Sequence, residues 1–233
     1  MITIKDLQAN GWEYGINKVI NADCLEGMKL IHDKSIDLVL TDPPYGMGYQ
    51  SSRRIDKFDK IKEDDNLDWV ELFCEQSYRV LKEDSHIYVF CNEYSIADLR
   101  VNLKYFGFTL KRMLVWVKNN HTSGDLQGDY GNMTEYVLFA HKGRRLLNGK
   151  RDTNVFNNPR VENLKHPTEK PTKLISNLMQ KSSNKGELVL DPFMGSWTTA
   201  RACKDLGRDF IGFELSEKYC QIGEERLRQE VMF

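Results

Sequence analysis

The stretch "IDLVLTDPPYG", residues 36–46, joins an apolar run to a rigid elbow. The run "IDLVL" predicts a buried strand. Pro43 and Pro44 then fix two φ angles and remove two backbone donors. Asp42 precedes the prolines and Tyr45 follows them. The strand therefore ends in a donor-poor turn that holds a carboxylate beside an aromatic ring.

Similar apolar runs recur along the chain and alternate with helical patterns. Strands are predicted at 18–21, 36–42, 86–90, 108–117, 135–142, 187–191 and 209–215. Helices are predicted at 68–82, 95–107, 172–183, 196–207 and 216–229. Alternation of this kind predicts an α/β fold with a Rossmann-like, mostly parallel seven-stranded sheet. The strands 108–117 and 135–142 have no helix between them, so they are expected to form an antiparallel hairpin at one edge.

Length and composition fit one globular domain, 1–233, with 40% hydrophobic and 29% charged residues. No apolar run approaches the roughly 20 residues that cross a bilayer. The first residues lack the pattern of a signal peptide, so a cytoplasmic location and no membrane association are expected. The five cysteines form no CxxC pair and the five histidines are dispersed. We therefore expect neither a disulfide framework nor a metal site.

A second loop with unusual residues, "DPFMGSWTTA" at 191–200, follows the predicted strand 187–191. Gly195 permits a tight turn, and the next helix directs free backbone donors toward a ligand. Glu214 ends the following strand, where an acid can bind two ribose hydroxyls. The loop has too few glycines for a pyrophosphate site. A cofactor with a ribose but no phosphate is therefore predicted, and S-adenosylmethionine fits this description.

The elbow at 42–45 suits chemistry on an exocyclic amino group of a nucleic acid base. The lone pair of such an amino group is delocalised into the ring, so the nitrogen is a poor nucleophile. Two acceptors that bind both N–H groups free the lone pair. Asp42 supplies one acceptor and the Pro43 carbonyl, held rigid by the prolines, supplies the other. Tyr45 offers a face on which an extruded base can stack.

These motifs resemble those of the amino-directed DNA methyltransferases, which modify N6 of adenine or N4 of cytosine. "DPPY" at 42–45 is similar to their catalytic signature, and "DPFMGSWTTA" resembles their cofactor loop. Further resemblance lies in "NADCLEGM" at 21–28, "VWVKNN" at 115–120 and "HPTEKP" at 166–171. The motif order resembles that of the beta class. The resemblance implies methyl transfer from S-adenosylmethionine to N6 of adenine in DNA, and a restriction–modification context.

The resemblance also implies roles for particular residues. Asp42, Pro43, Pro44 and Tyr45 would hold the target base. The cofactor would be bound by Asp23, Cys24, Asp42, His166, Thr168, Lys170, Asp191, Phe193, Gly195, Ser196, Thr198 and Glu214. One residue departs from the family pattern, because Trp197 stands where a small residue is usual. An indole is not expected at a position with φ > 0, so the ring either points away from the cofactor or covers it.

Three insertions are expected to serve the substrate. Segments 46–66 and 118–134 are predicted to be mobile loops, and 143–168 is predicted to recognise the DNA target. Residues 142–165 carry seven bases and two acids, although the whole chain has a net charge of −1. Lys and Arg there would contact phosphates, while Asn157, Asn158 or Arg160 would reach base edges. Because the insertion is short, a homodimer is one expected solution.

Simpler explanations and rival functions stay open at this point. Asp23 could be an ordinary helix N-cap, Gly195 a turn glycine, and Glu214 a solvated acid. N4-cytosine or RNA methylation is an alternative that amino-group chemistry alone does not exclude. A second alternative is a catalytically inactive DNA-binding homologue whose cofactor pocket Trp197 blocks.

Overall fold

A computed structural model describes residues 1–45, 69–121, 127–162 and 169–228. These residues form nine strands: β1 (Ile2–Thr3), β2 (Lys18–Asn21), β3 (Ile36–Thr41), β4 (Leu81–Cys91), β5 (Thr109–Val117), β6 (Thr134–Lys142), β7 (Val155–Asn157), β8 (Leu188–Asp191) and β9 (Asp209–Glu214). The helices are α1 (Ile4–Asn10), a 3₁₀ turn (Trp12–Gly15), α2 (Cys24–Met28), α3 (Trp69–Val80), α4 (Ile96–Tyr105), α5 (Thr172–Ser182), α6 (Thr198–Leu206) and α7 (Glu217–Arg228).

The strands form one sheet in the order β1-β2-β9-β8-β3-β4-β6-β5-β7. β6 is antiparallel to its neighbours β4 and β5, and the other neighbouring pairs are parallel. The predicted α/β class and antiparallel hairpin are confirmed. Two details differ from the prediction. The described sheet has nine strands rather than seven, and β7 pairs with the outer side of the hairpin. β1 and β7 have two and three residues, too few to produce an apolar run.

Helices pack on both faces of the sheet, which explains why all six residues of β3 are buried. Ile36 and Val39 face a core cluster that includes residues of α3 and α4. Leu38 and Leu40 face a second cluster that includes residues of α5 and α6. Continuous burial of this kind is what the unbroken run "IDLVL" indicated.

The two loops with unusual residues leave the sheet side by side. β3 and β8 are parallel neighbours, with Leu38 opposite Val189 and Val39 opposite Leu190. Both strands therefore end at the same side of the sheet, called here the carboxyl edge, and the opposite side is the amino edge. Residues 42–45 and 191–195 both begin at the carboxyl edge.

No helix within the described ranges is long and apolar enough to cross a membrane. The same residues contain no cluster of three or more His, Cys, Asp or Glu that could hold a metal ion.

Candidate active site

The loop after β3 holds the Asp42 carboxylate with two donors. The Tyr45 hydroxyl donates to Asp42 Oδ1 over 2.6 Å, and Lys170 Nζ donates to Asp42 Oδ2 over 2.5 Å. Lys170 precedes α5 and lies 128 positions from Asp42 in the chain. Each carboxylate oxygen keeps a lone pair for a further donor. The loop therefore fixes the orientation of a carboxylate that can still accept a hydrogen bond from a substrate.

Lys170 also binds a second acid, Glu135 at the start of β6. Its Nζ lies 3.1 Å from Glu135 Oε2, and Lys118 Nζ lies 2.9 Å from Glu135 Oε1. The Tyr45 hydroxyl reaches the same Oε2 over 3.3 Å. Sequence reasoning did not single out Glu135 or Lys118. A signal was present, because Glu135 is the one acid of a mostly apolar strand and Lys118 lies in the "VWVKNN" motif.

Burial and charge together set the protonation of this network. Burial raises the pKa of Asp42, and this outweighs the opposing effect of Lys170. Burial, followed by the charges of Asp42 and Glu135, raises the pKa of Tyr45, so the phenol stays protonated and can donate. Burial alone would lower the pKa of Lys170, but the two carboxylates outweigh it and raise that pKa. The lysine therefore remains a cation.

The loop after β8 is joined directly to the end of β3. Thr41 Oγ1 donates to Asp191 Oδ1 over 2.6 Å, and the Phe193 backbone N–H donates to the same oxygen over 3.1 Å. The two loops therefore share one cleft. Among the predicted residues, those that line it are Asp42, Lys170, Asp191, Phe193, Gly195, Ser196 and Thr198. Residues that were not predicted also line it: Thr41, Phe90, Glu169, Ile175, Met194 and Thr199.

Glu214 ends β9 beside this cleft, where the sequence placed it. Its Oε2 accepts from the Gly195 N–H over 2.9 Å, and its Oε1 accepts from the Ser216 N–H over 2.7 Å. Gly195 has φ 53°, in the left-handed region that favours glycine. The carboxylate thus orients the turn at the side of the cleft.

Asp23 and Cys24 lie at the end of β2, and neither residue lines the cleft. Asp23 caps α2, because its carboxylate accepts from the backbone N–H groups of Leu25 and Glu26. Cys24 is the first residue of α2 and is buried in the core. The simpler N-cap role of Asp23 is therefore observed, and a role near the cofactor stays a prediction for both residues. His166 and Thr168 lie outside the described residues.

Trp197 has φ 63° and ψ 31°, so the expectation that an indole could not adopt positive φ is wrong. The ring is 4% exposed and belongs to the core cluster under α5 and α6. A Cβ at Gly223 of α7 would lie 2.1 Å from the Trp197 ring. Trp197 does not line the cleft. The indole therefore points away from the cleft and occupies space that the missing side chain of Gly223 leaves open.

Residues 143–160, which are rich in bases, run from the amino edge of the sheet to its carboxyl edge. The Arg144 backbone N–H donates to Asp84 Oδ1, and the Arg145 guanidinium forms an ion pair with Glu187 at 2.7 Å. These contacts place Arg144 and Arg145 at the amino edge. β7 then runs parallel to β5 toward the carboxyl edge. There Arg160 N–H donates to Asn119 Oδ1 over 3.0 Å. Of the described residues of 143–168, only those from the end of β7 onward lie on the side of Asp42. The loop 46–66 and residues 122–126 and 163–168 lie outside the described ranges.

Burial raises the pKa of Asp191 to about 6, so its ionisation in the folded state costs stability. The unfolded carboxyl titrates near 3.8. Because the fold favours the neutral carboxyl, Asp191 contributes most to the free energy of unfolding at low pH. This contribution is lost as pH rises through about 6. We expect Asp191→Asn to change the pH dependence between 4 and 6. The free energy of unfolding of the variant, compared with that of wild type at the same pH, should rise by about 3 kcal/mol between pH 4 and 6.

Urea denaturation of both proteins at a series of pH values measures this difference. Asp205→Asn, at a partly buried carboxylate paired with Arg201, is the control. A difference between wild type and Asp191→Asn that stays constant from pH 4 to 7 would contradict the assignment.

The open, mostly parallel sheet, the cleft at its carboxyl edge and the Asp-Pro-Pro-Tyr loop define a Rossmann-like methyltransferase directed at amino groups. The sequence profile of the DNA methylase family matches residues 36–225. The chain belongs to this family, and the resemblance noted in the sequence is confirmed.

Relatives and solved structures agree with this assignment. DNA adenine methyltransferase YhdJ of Escherichia coli is 30% identical, covering 90% of this chain and 82% of that protein. Type II methyltransferase M.HinfI of Haemophilus influenzae is 30% identical over 92% of this chain and 69% of its own. The M1.HpyAVI–SAM complex has a TM-score of 0.70 and 28% identity, and covers 89% of this chain and 98% of its own.

Proposed function

We propose that this chain transfers a methyl group from S-adenosylmethionine to N6 of adenine in DNA. The observation that carries the proposal is the shared cleft, in which Asp42 and Asp191 are linked through Thr41. The adenine assignment is supported by the similarity to YhdJ, which is named a DNA adenine methyltransferase. The type II methyltransferase M.HinfI supports a restriction–modification context.

The residues of the cleft fit the cofactor. Gly195 leaves room where another residue would place a side chain, and Glu214 lies next to it with a carboxylate held by two backbone donors. Ser196 and Thr198 contribute hydroxyl groups, and Phe193 contributes a ring. We assign cofactor binding to Asp191, Phe193, Gly195, Ser196, Thr198 and Glu214. When bound there, S-adenosylmethionine supplies an electrophilic methyl group.

Asp42 and the Pro43 carbonyl act on the amino group. A hydrogen bond from N6 to Asp42 and one to Pro43 draw the nitrogen toward a tetrahedral geometry and localise its lone pair. Tyr45 and Lys170 keep the carboxylate in place while it accepts the hydrogen bond. The localised lone pair would then take the methyl group that bound S-adenosylmethionine would supply, with S-adenosylhomocysteine as the leaving product, and Asp42 or water would accept the proton that the amino nitrogen loses. The target base must leave the duplex to reach this cleft.

Mass spectrometry of nucleosides tests the target base. DNA and RNA are incubated separately with the protein and labelled S-adenosylmethionine and then digested. We expect label in N6-methyladenine from DNA. Label in N4-methylcytosine or only in RNA would overturn the adenine assignment. The PvuII DNA methyltransferase, which is named cytosine-N4-specific, is structurally similar to this chain with a TM-score of 0.76. At 19% identity this neighbour supports the fold alone.

Glu214 provides a test of the cofactor site. Glu214→Gln removes the charge and one of two strong acceptors, so cofactor affinity should fall about 10- to 100-fold. Isothermal titration calorimetry with S-adenosylmethionine measures this change. Glu217→Gln, an exposed residue in the first turn of α7, is the matched control. Equal affinities of the Glu214→Gln variant and wild type would remove Glu214 from the site.

We assign DNA recognition first to 143–168 and second to 118–134. Arg160 and Asn119 support this assignment because their hydrogen bond joins two of these segments at the carboxyl edge. Exchange of 154–168 with the same segment of a relative should change the methylated sequence. An unchanged target site would place recognition elsewhere.

The unit of function is proposed to be a single catalytic domain, 1–233, that acts in the cytoplasm. A homodimer remains part of the proposal because the recognition segment is short. Sedimentation equilibrium with and without a DNA duplex measures the oligomeric state. One chain without DNA and one chain per duplex with DNA would exclude the dimer.

A further inference from the structure

A largely buried charged cluster of the described residues contains two acids and two bases: Asp42, Glu135, Lys118 and Lys170. The side chains of the two lysines are only 6% and 5% exposed. Their charges balance in pairs, as burial of charged groups requires. Lys118, Glu135 and Lys170 lie outside the loop 42–45 that contains Asp42.

Glu135 occupies the centre of this cluster. Its Oε1 binds Lys118, while its Oε2 binds Lys170 and lies 3.3 Å from the Tyr45 hydroxyl, whose one proton points mainly to Asp42. Lys170 and Tyr45 are the same two groups that hold Asp42. Glu135 therefore touches both donors of Asp42 and does not itself line the cleft.

We propose that Glu135 is a positioning residue that fixes Lys170 and Tyr45 against the two oxygens of Asp42. Lys118 anchors Glu135 from the far side. The inference rests on the proposed methyl transfer, because it concerns how Asp42 is oriented toward the amino group.

The arrangement also balances the charge that Asp42 experiences. The ionisable groups facing Asp42 come from several elements: Lys170 before α5, Glu135 of β6, Tyr45 of the same loop, Asp191 of β8 and Cys91 of β4. Burial raises the pKa of Asp42, Lys170 lowers it, and Glu135 raises it. Loss of the Glu135 charge therefore lowers the pKa of Asp42.

Glu135→Gln keeps the shape of the side chain and removes its charge. We expect kcat to fall about 10- to 100-fold, because Lys170 and Tyr45 no longer hold Asp42 in one geometry. The dissociation constant of S-adenosylmethionine should stay within about twofold. The acid limb of the kcat profile should move to lower pH, because Asp42 then stays ionised to lower pH. Glu71→Gln, on the exposed side of α3, is the control and should change none of these.

Two further measurements keep the inference testable. ¹³C NMR titration of the Asp42 carboxyl reports its pKa without turnover, and the pKa should be lower in Glu135→Gln than in wild type. Glu135→Asp retains the charge at a shorter reach, so it should lower kcat while leaving the acid limb in place.

The outcomes separate the two proposals. Wild-type protein that methylates nothing would overturn the proposed function, while a lowered Asp42 pKa in the variant would still support the placement of Glu135. An active wild type with unchanged kcat and pH profile in Glu135→Gln would overturn only the role of Glu135. A fall in activity with no shift of the acid limb or of the Asp42 pKa would also overturn it.

Discussion

Asp42→Asn is expected to lower methylation at least about 1000-fold while cofactor binding persists. The amide keeps the size of the carboxylate but loses its charge, and its nitrogen cannot accept a hydrogen bond from the target amino group. The variant should still fold. Lys170 retains its ion pair with Glu135, so loss of the Asp42 charge does not leave the buried lysine unpaired.

The measurement compares single-turnover rates with DNA and the dissociation constant of S-adenosylmethionine. Asp98→Asn, at an exposed position in the first turn of α4, is the matched control with the same chemical change. Rates of the Asp42→Asn variant within tenfold of wild type would remove Asp42 from the reaction. Loss of cofactor binding together with activity would show that Asp42 serves the cofactor rather than the base.

The packing of Trp197 against Gly223 yields the largest expected effects on stability. Gly223→Leu places a side chain where the Trp197 ring lies, 2.1 Å from the new Cβ. We expect a loss of about 3 kcal/mol in the free energy of unfolding. Trp197→Gly empties the same space and should cost about 3 kcal/mol, since relief of the left-handed backbone offsets part of the loss.

The double variant Trp197→Gly/Gly223→Leu fills the space from the other side. The double variant should lose about 2 kcal/mol less free energy of unfolding than the sum of the losses in the two single variants. Urea denaturation of the four proteins measures this coupling. Gln221→Leu adds the same side chain to the exposed side of α7 and should change stability by less than about 0.5 kcal/mol. Additive single effects would contradict the packing described here.

The central strands and the meeting of the two loops could be predicted from the sequence. Residues 36–41, 188–191 and 209–214 are short apolar runs, and burial on both faces of a parallel sheet requires such runs. Because parallel strands end at one side, the positions of Asp42 and Asp191 followed from their places after β3 and β8. Base chemistry then explained why prolines and an acid stand together.

Other features depend on contacts that no local pattern records. β7 has three residues, and its pairing with β5 is set by the chain that precedes it. Glu135 and Lys170 come together beside Asp42 only after the sheet has formed, because they lie far apart in the chain. The direction of the Trp197 ring depends on Gly223 of α7, whose missing side chain makes the space. Sequence reasoning could name Trp197 as an exception but could not choose its direction.

The most direct test is the structure of the protein bound to a DNA duplex and a non-transferable analogue of S-adenosylmethionine. The distances to measure join the target amino nitrogen to Asp42 Oδ1 or Oδ2 and to the Pro43 carbonyl oxygen. We expect an extruded adenine with both distances near 3 Å, and the analogue against Gly195 and Glu214 in the same cleft. An amino nitrogen beyond hydrogen-bond reach of Asp42, or an analogue bound away from residues 191–195, would contradict the account.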